Sequence, residues 1–160
     1  MSGERELERR IDNIVQVGVV SEVNHKAGLC RVSFGERTSP WSPWIMPRAG
    51  KDKEYWHPDI GEQVLYFSPF GDGSEGFVQL GVMSDRMPLP KDAGEGVHIR
   101  EYEDGSRFLV DRINHVLDIR DSHGSYIRMV DGDVVVKSVR HIHFNSSEPH
   151  IPPHLDYILD

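Results

Sequence analysis

Two histidines separated by one residue, His141 and His143, are the side chains here whose type and spacing point most directly to chemistry. On a β-strand, side chains alternate faces, so residues i and i+2 present their groups side by side. The segment His141-Ile142-His143 would then offer two imidazole nitrogens in one direction. Imidazole suits iron, zinc, nickel and copper, but two ligands from one chain leave most of a coordination sphere open. Three such strands meeting on a threefold axis would gather six imidazoles, a set better suited to an octahedral ion than to tetrahedral zinc. The plain alternative is a pair of surface histidines on an edge strand. A metallohydrolase would use the same pair with an open position for water, and would need a third ligand and a general base. Glu148 or Asp156 could be enlisted for that. No G-x-S-x-G elbow and no phosphate loop accompanies them, so the chain reads as a non-enzyme.

Composition sets the frame for these residues. In 160 residues, 38% are hydrophobic and 28% charged, with 15 Gly and 10 Pro, which allows one domain or two small ones. Core residues are few and turn residues many, a balance that favours short strands over a helical bundle. The formal charge of −8 is unsuited to phosphate backbones, which need clustered Lys and Arg, and counts against nucleic-acid binding. Cys30 is the single cysteine, so an intrachain disulfide or a cysteine zinc site is not available, and a buried thiol is expected. Residues 1–10 are charged without an apolar core, unlike a secretory signal. No run of about 18 apolar residues is present to span a bilayer as a helix.

Along the chain, Glu4 to Val15 reads as a short amphipathic helical leader, with Leu7, Ile11, Ile14 and Val15 at helical spacing. From Gln16 the period becomes two, with Val17, Val19 and Val23 alternating with smaller or polar residues. A turn at residues 24–28 leads into Leu29 to Phe34, and the prolines of residues 39–45 fit an edge strand or a rigid loop. Glu62 to Ser68 is the candidate central strand, and Phe77 to Val82 closes the set. Five strand-like segments joined by Gly-rich turns predict a closed OB-type barrel over residues 16–83. Trp41, Trp44 and Trp56 could stack bases there, the runner-up function being a single-strand nucleic-acid binder. The sparse basic residues favour core or interface packing instead. The loop Gly71-Asp72-Gly73 lacks a calcium-loop ligand pattern and reads as a turn.

Residues 84–96, with two prolines and two glycines, form the expected linker. Beyond it, strands are predicted at 97–102, 107–111, 115–120, 125–130 and 134–144, with turns recurring every nine or ten residues. Each strand carries only two or three large apolar residues. A lone meander of this kind buries little and leaves open edges, which association of three copies would remedy. A monomeric meander packed back on the barrel is the alternative.

Several segments in order resemble one family: the V-G-V-V opening strand, Trp41 through Gly50, and Tyr55 through Gly61 leading into E-Q-V-L. The loop S-P-F-G-D-G-S-E-G-F-V, then Leu80-Gly81-Val82, Tyr102 to Ser106 and the H-x-H pair complete the likeness. From about Val17 to His143 the chain resembles baseplate assembly protein V, the central spike of contractile phage tails and related tail-like particles. The resemblance implies an all-β homotrimer: an N-terminal OB-fold barrel joined to the baseplate hub and tail tube, then an intertwined β-helical or β-prism shaft at 97–138. The tip, residues 139–160, would hold one iron ion through six nitrogens from His141 and His143 of each chain. It implies a mechanical needle of the virion baseplate, assembled in the host cytoplasm and driven through the host outer membrane by sheath contraction. No substrate and no nucleic acid enter that picture. Seventeen residues follow His143, and His150 and His154 among three prolines are either part of a folded-back cap or further ligands. A metal staple suits a tip with little apolar volume, and it weakens below about pH 6, because imidazole must be deprotonated to ligate.

Overall fold

A computed structural model describes residues 2–142 of the chain. Apart from one helix it is all-β, and it divides into two compact units between Leu89 and Pro90, inside the predicted linker.

In the first unit, helix α1 spans Ser2–Asp12 and is held by local ion pairs from Glu6 to Arg9 and Arg10. Those two guanidinium hydrogen bonds bring the Glu6 carboxyl down to about 2. Arg10 closes the helix beside Gly71, where any Cβ would run into the Arg10 carbonyl, and Gly71 also has φ +62°. Glycine is therefore required where the loop meets the helix end. The chain turns at Asn13 and enters β1, Val15–Asn24.

Strand β1 pairs with β2, Leu29–Phe34, on one side and with β5, Gln63–Phe67, on the other. Between them in sequence lie the two-residue strands β3, Arg37–Thr38, and β4, Ser42–Pro43, both paired to β2. Strand β5 in turn pairs with β6, Phe77–Val82. The ring of hydrogen bonds closes at residue 44. Trp44 bridges Val78 in parallel, and the Ile45 N–H donates to the Val78 carbonyl at 2.8 Å. The segment after β4 thus links β2 to β6, and closure removes the sheet edges. Inside sit Val20, Cys30, Val32, Trp44, Val64, Tyr66 and Val78.

The alternation in β1 has the opposite phase to the one expected from Val17 and Val19. Both point outward, and the inward positions are Gly18 and Val20. A side chain at Gly18 would overlap Val32 and the Phe34 ring, which occupy that space from the facing strand. A bulge between Val20 and Glu22 then shifts the phase by one, so Val23 packs against the core.

The second unit is a five-stranded antiparallel meander: β7 Val97–Glu101, β8 Arg107–Asp111, β9 Val116–Arg120, β10 Tyr126–Val130 and β11 Asp133–Lys137. Its two-residue hairpin at Asp131-Gly132 has positive φ at both residues, 50° and 88°, the geometry that matches strand twist. No helix among the described residues is long and apolar enough to cross a membrane.

Two outcomes test the barrel. Trp44→Ala removes a fully packed indole from the closing segment and should cost about 3–5 kcal/mol in a urea titration. Cys30 is buried, and desolvation raises its thiol to about 11 from the ordinary 9.0. A raised thiol favours the folded state's protonated form, so its stabilising effect is present below pH 9.0 and lost as pH climbs toward about 11. A thiol reagent at pH 8 should modify Cys30 only at the rate of unfolding.

Candidate functional site: the two faces of the meander and the histidine segment

Residues directly opposed in an antiparallel ladder share a face, so the registers of β7 to β11 sort every side chain. One row runs Phe108, Ile119, Ile127, Val136 across β8, β9, β10 and β11. The adjacent row of the same face runs Val110, Leu117, Met129, Val134. Eight positions in two rows are all apolar; only the edge strand β7 adds polar groups, Arg100 and His98. His98 lies edge-on to the Phe108 ring. This face is uncovered: Ile119, Ile127, Met129, Val134 and Val136 are between 41% and 63% exposed. Contiguous apolar surface of this kind is uncommon on a soluble monomer.

The opposite face is polar. Its central row is Ile99, Leu109, Asp118, Arg128, Val135, flanked by Glu101, Arg107, Arg120, Tyr126, Lys137. Asp118 is fully buried beneath arginines. Its Oδ2 accepts from Arg128 Nε at 2.7 Å and from a terminal Arg128 nitrogen, while a terminal nitrogen of Arg120 lies 3.3 Å away. Arg107 Nε stands 3.9 Å from Oδ1 and its other end pairs with Asp92 at 2.6 Å. A carboxylate taken wholly from water needs such compensation. The expectation of frequent turns and thin apolar strands did not include this cluster. Its signal was an Asp at mid-strand with Arg two positions on, in the pattern V-L-D-I-R.

The hairpin turns carry their own carboxylates. Asp104 accepts from the amide and hydroxyl of Ser106, and Asp111 from the side chain and amide of Asn114, which lowers both carboxyls. At Asp121 burial pushes upward, but the amides of Ser125, His123 and Gly124 outweigh it and the net shift is down. Such turns are strongest above the ordinary carboxylate range and loosen as pH falls through it. Asp72 likewise accepts from the Ser74 amide and hydroxyl, so the Gly71-Asp72-Gly73 loop is a turn.

The last strand ends at Lys137, not at residue 144 as expected. Ser138 supplies the reason. Its hydroxyl donates to the His141 carbonyl at 2.9 Å and accepts from the Arg140 amide, a local arrangement that competes with ladder pairing. The Val139 amide donates to Ser125 Oγ, tying this turn to the loop before β10. His141 is therefore exposed on irregular chain. His143, and with it Glu148, His150, His154 and Asp156, lies outside the described residues. Among the described residues no three His, Cys, Asp or Glu side chains are grouped to hold a metal ion. Of the tryptophans, Trp44 is core, whereas Trp41 and Trp56 are 44% and 43% exposed, with Arg31 stacked on Trp41.

Residues 16–83 match the family model for the type VI secretion system and phage-baseplate injector OB domain. Over 102 residues the chain is 35% identical to the spike protein of Escherichia phage P2, covering 64% of this chain and 48% of that relative. The chain thus spans about half the length of the curated relative it matches.

Removing the buried carboxylate tests the polar face. Asp118→Ala leaves three arginines around an uncompensated site and should lower stability by about 3 kcal/mol, the low end for a broken buried pair. The low end applies because the arginine side chains retain 20–36% exposure. Adding Arg128→Gln to that variant should cost less than the sum of the two single changes in thermal denaturation.

Proposed function

We propose, from the premise that residues 16–83 belong to the injector OB domain of the baseplate V family, that this chain is the central spike of a contractile tail baseplate. In this reading it acts as a homotrimer in the virion. The barrel joins the hub and tail-tube proteins, and the β7–β11 sheets of three copies form the shaft. The observation that carries the reading is the apolar face of that sheet. Covering the exposed half of five side chains, at about 1 kcal/mol each, favours association by roughly 5 kcal/mol per chain. Likeness to a spike protein supports a mechanical role over a catalytic one.

The finer parts of the proposal follow from that assembly. Sheath contraction drives the needle through the host outer membrane. Its tip is held by one iron ion, ligated octahedrally by His141 and His143 of three chains. The donor set fits the ion chemically, since neutral imidazole is a good ligand for iron and three chains supply six nitrogens. His141 itself stands on irregular backbone, and in this reading assembly of three chains brings the imidazoles together.

Light scattering coupled to elemental analysis tests this on one sample. The expected result is a mass of three chains with one iron per three. Ile119→Glu should reduce the mass to one chain, and His143→Ala should lose the iron and lower the melting temperature with the trimer intact. A lone wild-type chain without iron overturns the proposal, and iron retained in the His143 variant overturns the ligand assignment.

A further inference from the structure

We infer that the polar face of the β7–β11 sheet binds a tetrahedral oxyanion of the phosphate-monoester class, between Arg120, Arg128 and Lys137 around Tyr126. The register places Arg120, Tyr126 and Lys137 side by side on β9, β10 and β11, and Arg128 two residues along on the same face. Their cationic groups lie 5.5, 5.7 and 5.6 Å from the centroid of the Tyr126 ring, for Arg120, Lys137 and Arg128 respectively. Three like charges converging on one ring repel one another. Ring stacking and the shared Asp118 carboxylate offset part of that cost, and a bound anion would offset the rest.

The charges do not balance within the cluster. Arg107, Arg120, Arg128 and Lys137 face two ion-paired carboxylates, Asp118 and Asp92, and Asp92 serves Arg107. Glu101 stands across from Arg107, on the far side of the sheet from Lys137. At the Tyr126 end, two guanidinium groups therefore share one Asp118 oxygen, with an ammonium beside them. This positive spot lies on a chain of formal charge −8. Each guanidinium has five N–H donors in a planar fork, more than one shared carboxylate can accept. Arg120 and Arg128 are 35% and 36% exposed, so their outer donors reach solvent. Arg forks, a lysine point charge and the Tyr126 phenol form a donor set suited to several oxygens of one phosphate. The ladder holds all four residues on adjacent strands, so the site is preformed.

Accessibility rests on the proposed trimer, in which this face turns away from the other copies. The test uses the full chain, titrated with inorganic phosphate at constant ionic strength held by sodium chloride, with light scattering on the same sample. Saturable binding is expected, followed by NMR shifts of Tyr126, and Lys137→Gln should weaken it about fivefold or more. Glu101→Gln should bind at least as well as the parent. Co-sedimentation with phosphatidic acid vesicles, and not with phosphatidylglycerol vesicles of equal charge, assigns the ligand to a lipid headgroup. Binding of inorganic phosphate without vesicle retention assigns it to the free ion. A response no greater than that to chloride, or a Lys137→Gln variant that binds as tightly as the parent, overturns the site. Phosphate binding by a chain of single mass leaves the site standing and removes the trimer instead.

Discussion

A sheet has two faces, and a single layer of five short strands covers neither. That is the constraint on the C-terminal half of this chain. On one face the long arginine side chains fold over Asp118 and bury it locally. On the other, Ile119, Ile127, Met129, Val134 and Val136 stand open. The barrel solves the same problem alone, by curling until Trp44 meets Val78. The two halves thus reach burial by different means, one through closure and one, in the proposed trimer, through association.

Asp118 bears on how that surface is kept in register. With apolar residues along one face and several on the other, hydrophobic contacts alone specify strand alignment weakly. A slip of one residue would turn Asp118 onto the apolar face, stripped of its arginines. A slip of two would keep the face but separate it from Arg128, which lies directly opposite. Both leave a charge out of water without a partner, a cost of several kcal/mol. Burial of one carboxylate therefore specifies alignment more than it adds stability.

Much of this was legible in the residues themselves. Strands β2, β6 and β8 match their predicted spans, because turn residues bound them on both sides. The two-residue strands β3 and β4 carried no periodic signal, and the parallel bridge at Trp44 is a tertiary event that a local pattern does not encode. The phase of β1 was misread because Gly18 is inward for a reason on another strand, the space taken by Val32 and Phe34. The end of β11 was overrun because V-V-V-K-S-V reads as continuous β-sequence. One hydroxyl, at Ser138, diverts the backbone before the histidines. The H-x-H pair was visible as chemistry, and of its setting the structure describes His141, on irregular chain where a strand was expected.

The meander adds its strands in the order in which they are synthesised, β7 to β11, each pairing with the one before. Such topology has low contact order, and hairpins of this length form in roughly microseconds. Nothing in the sheet waits for a distant segment to arrive. In the proposed trimer the slow event shifts from folding to encounter, whose speed depends on how many newly made chains are nearby. Sparse expression would leave completed sheets with a sticky side showing, and crowding around one message would favour correct association over stray aggregation.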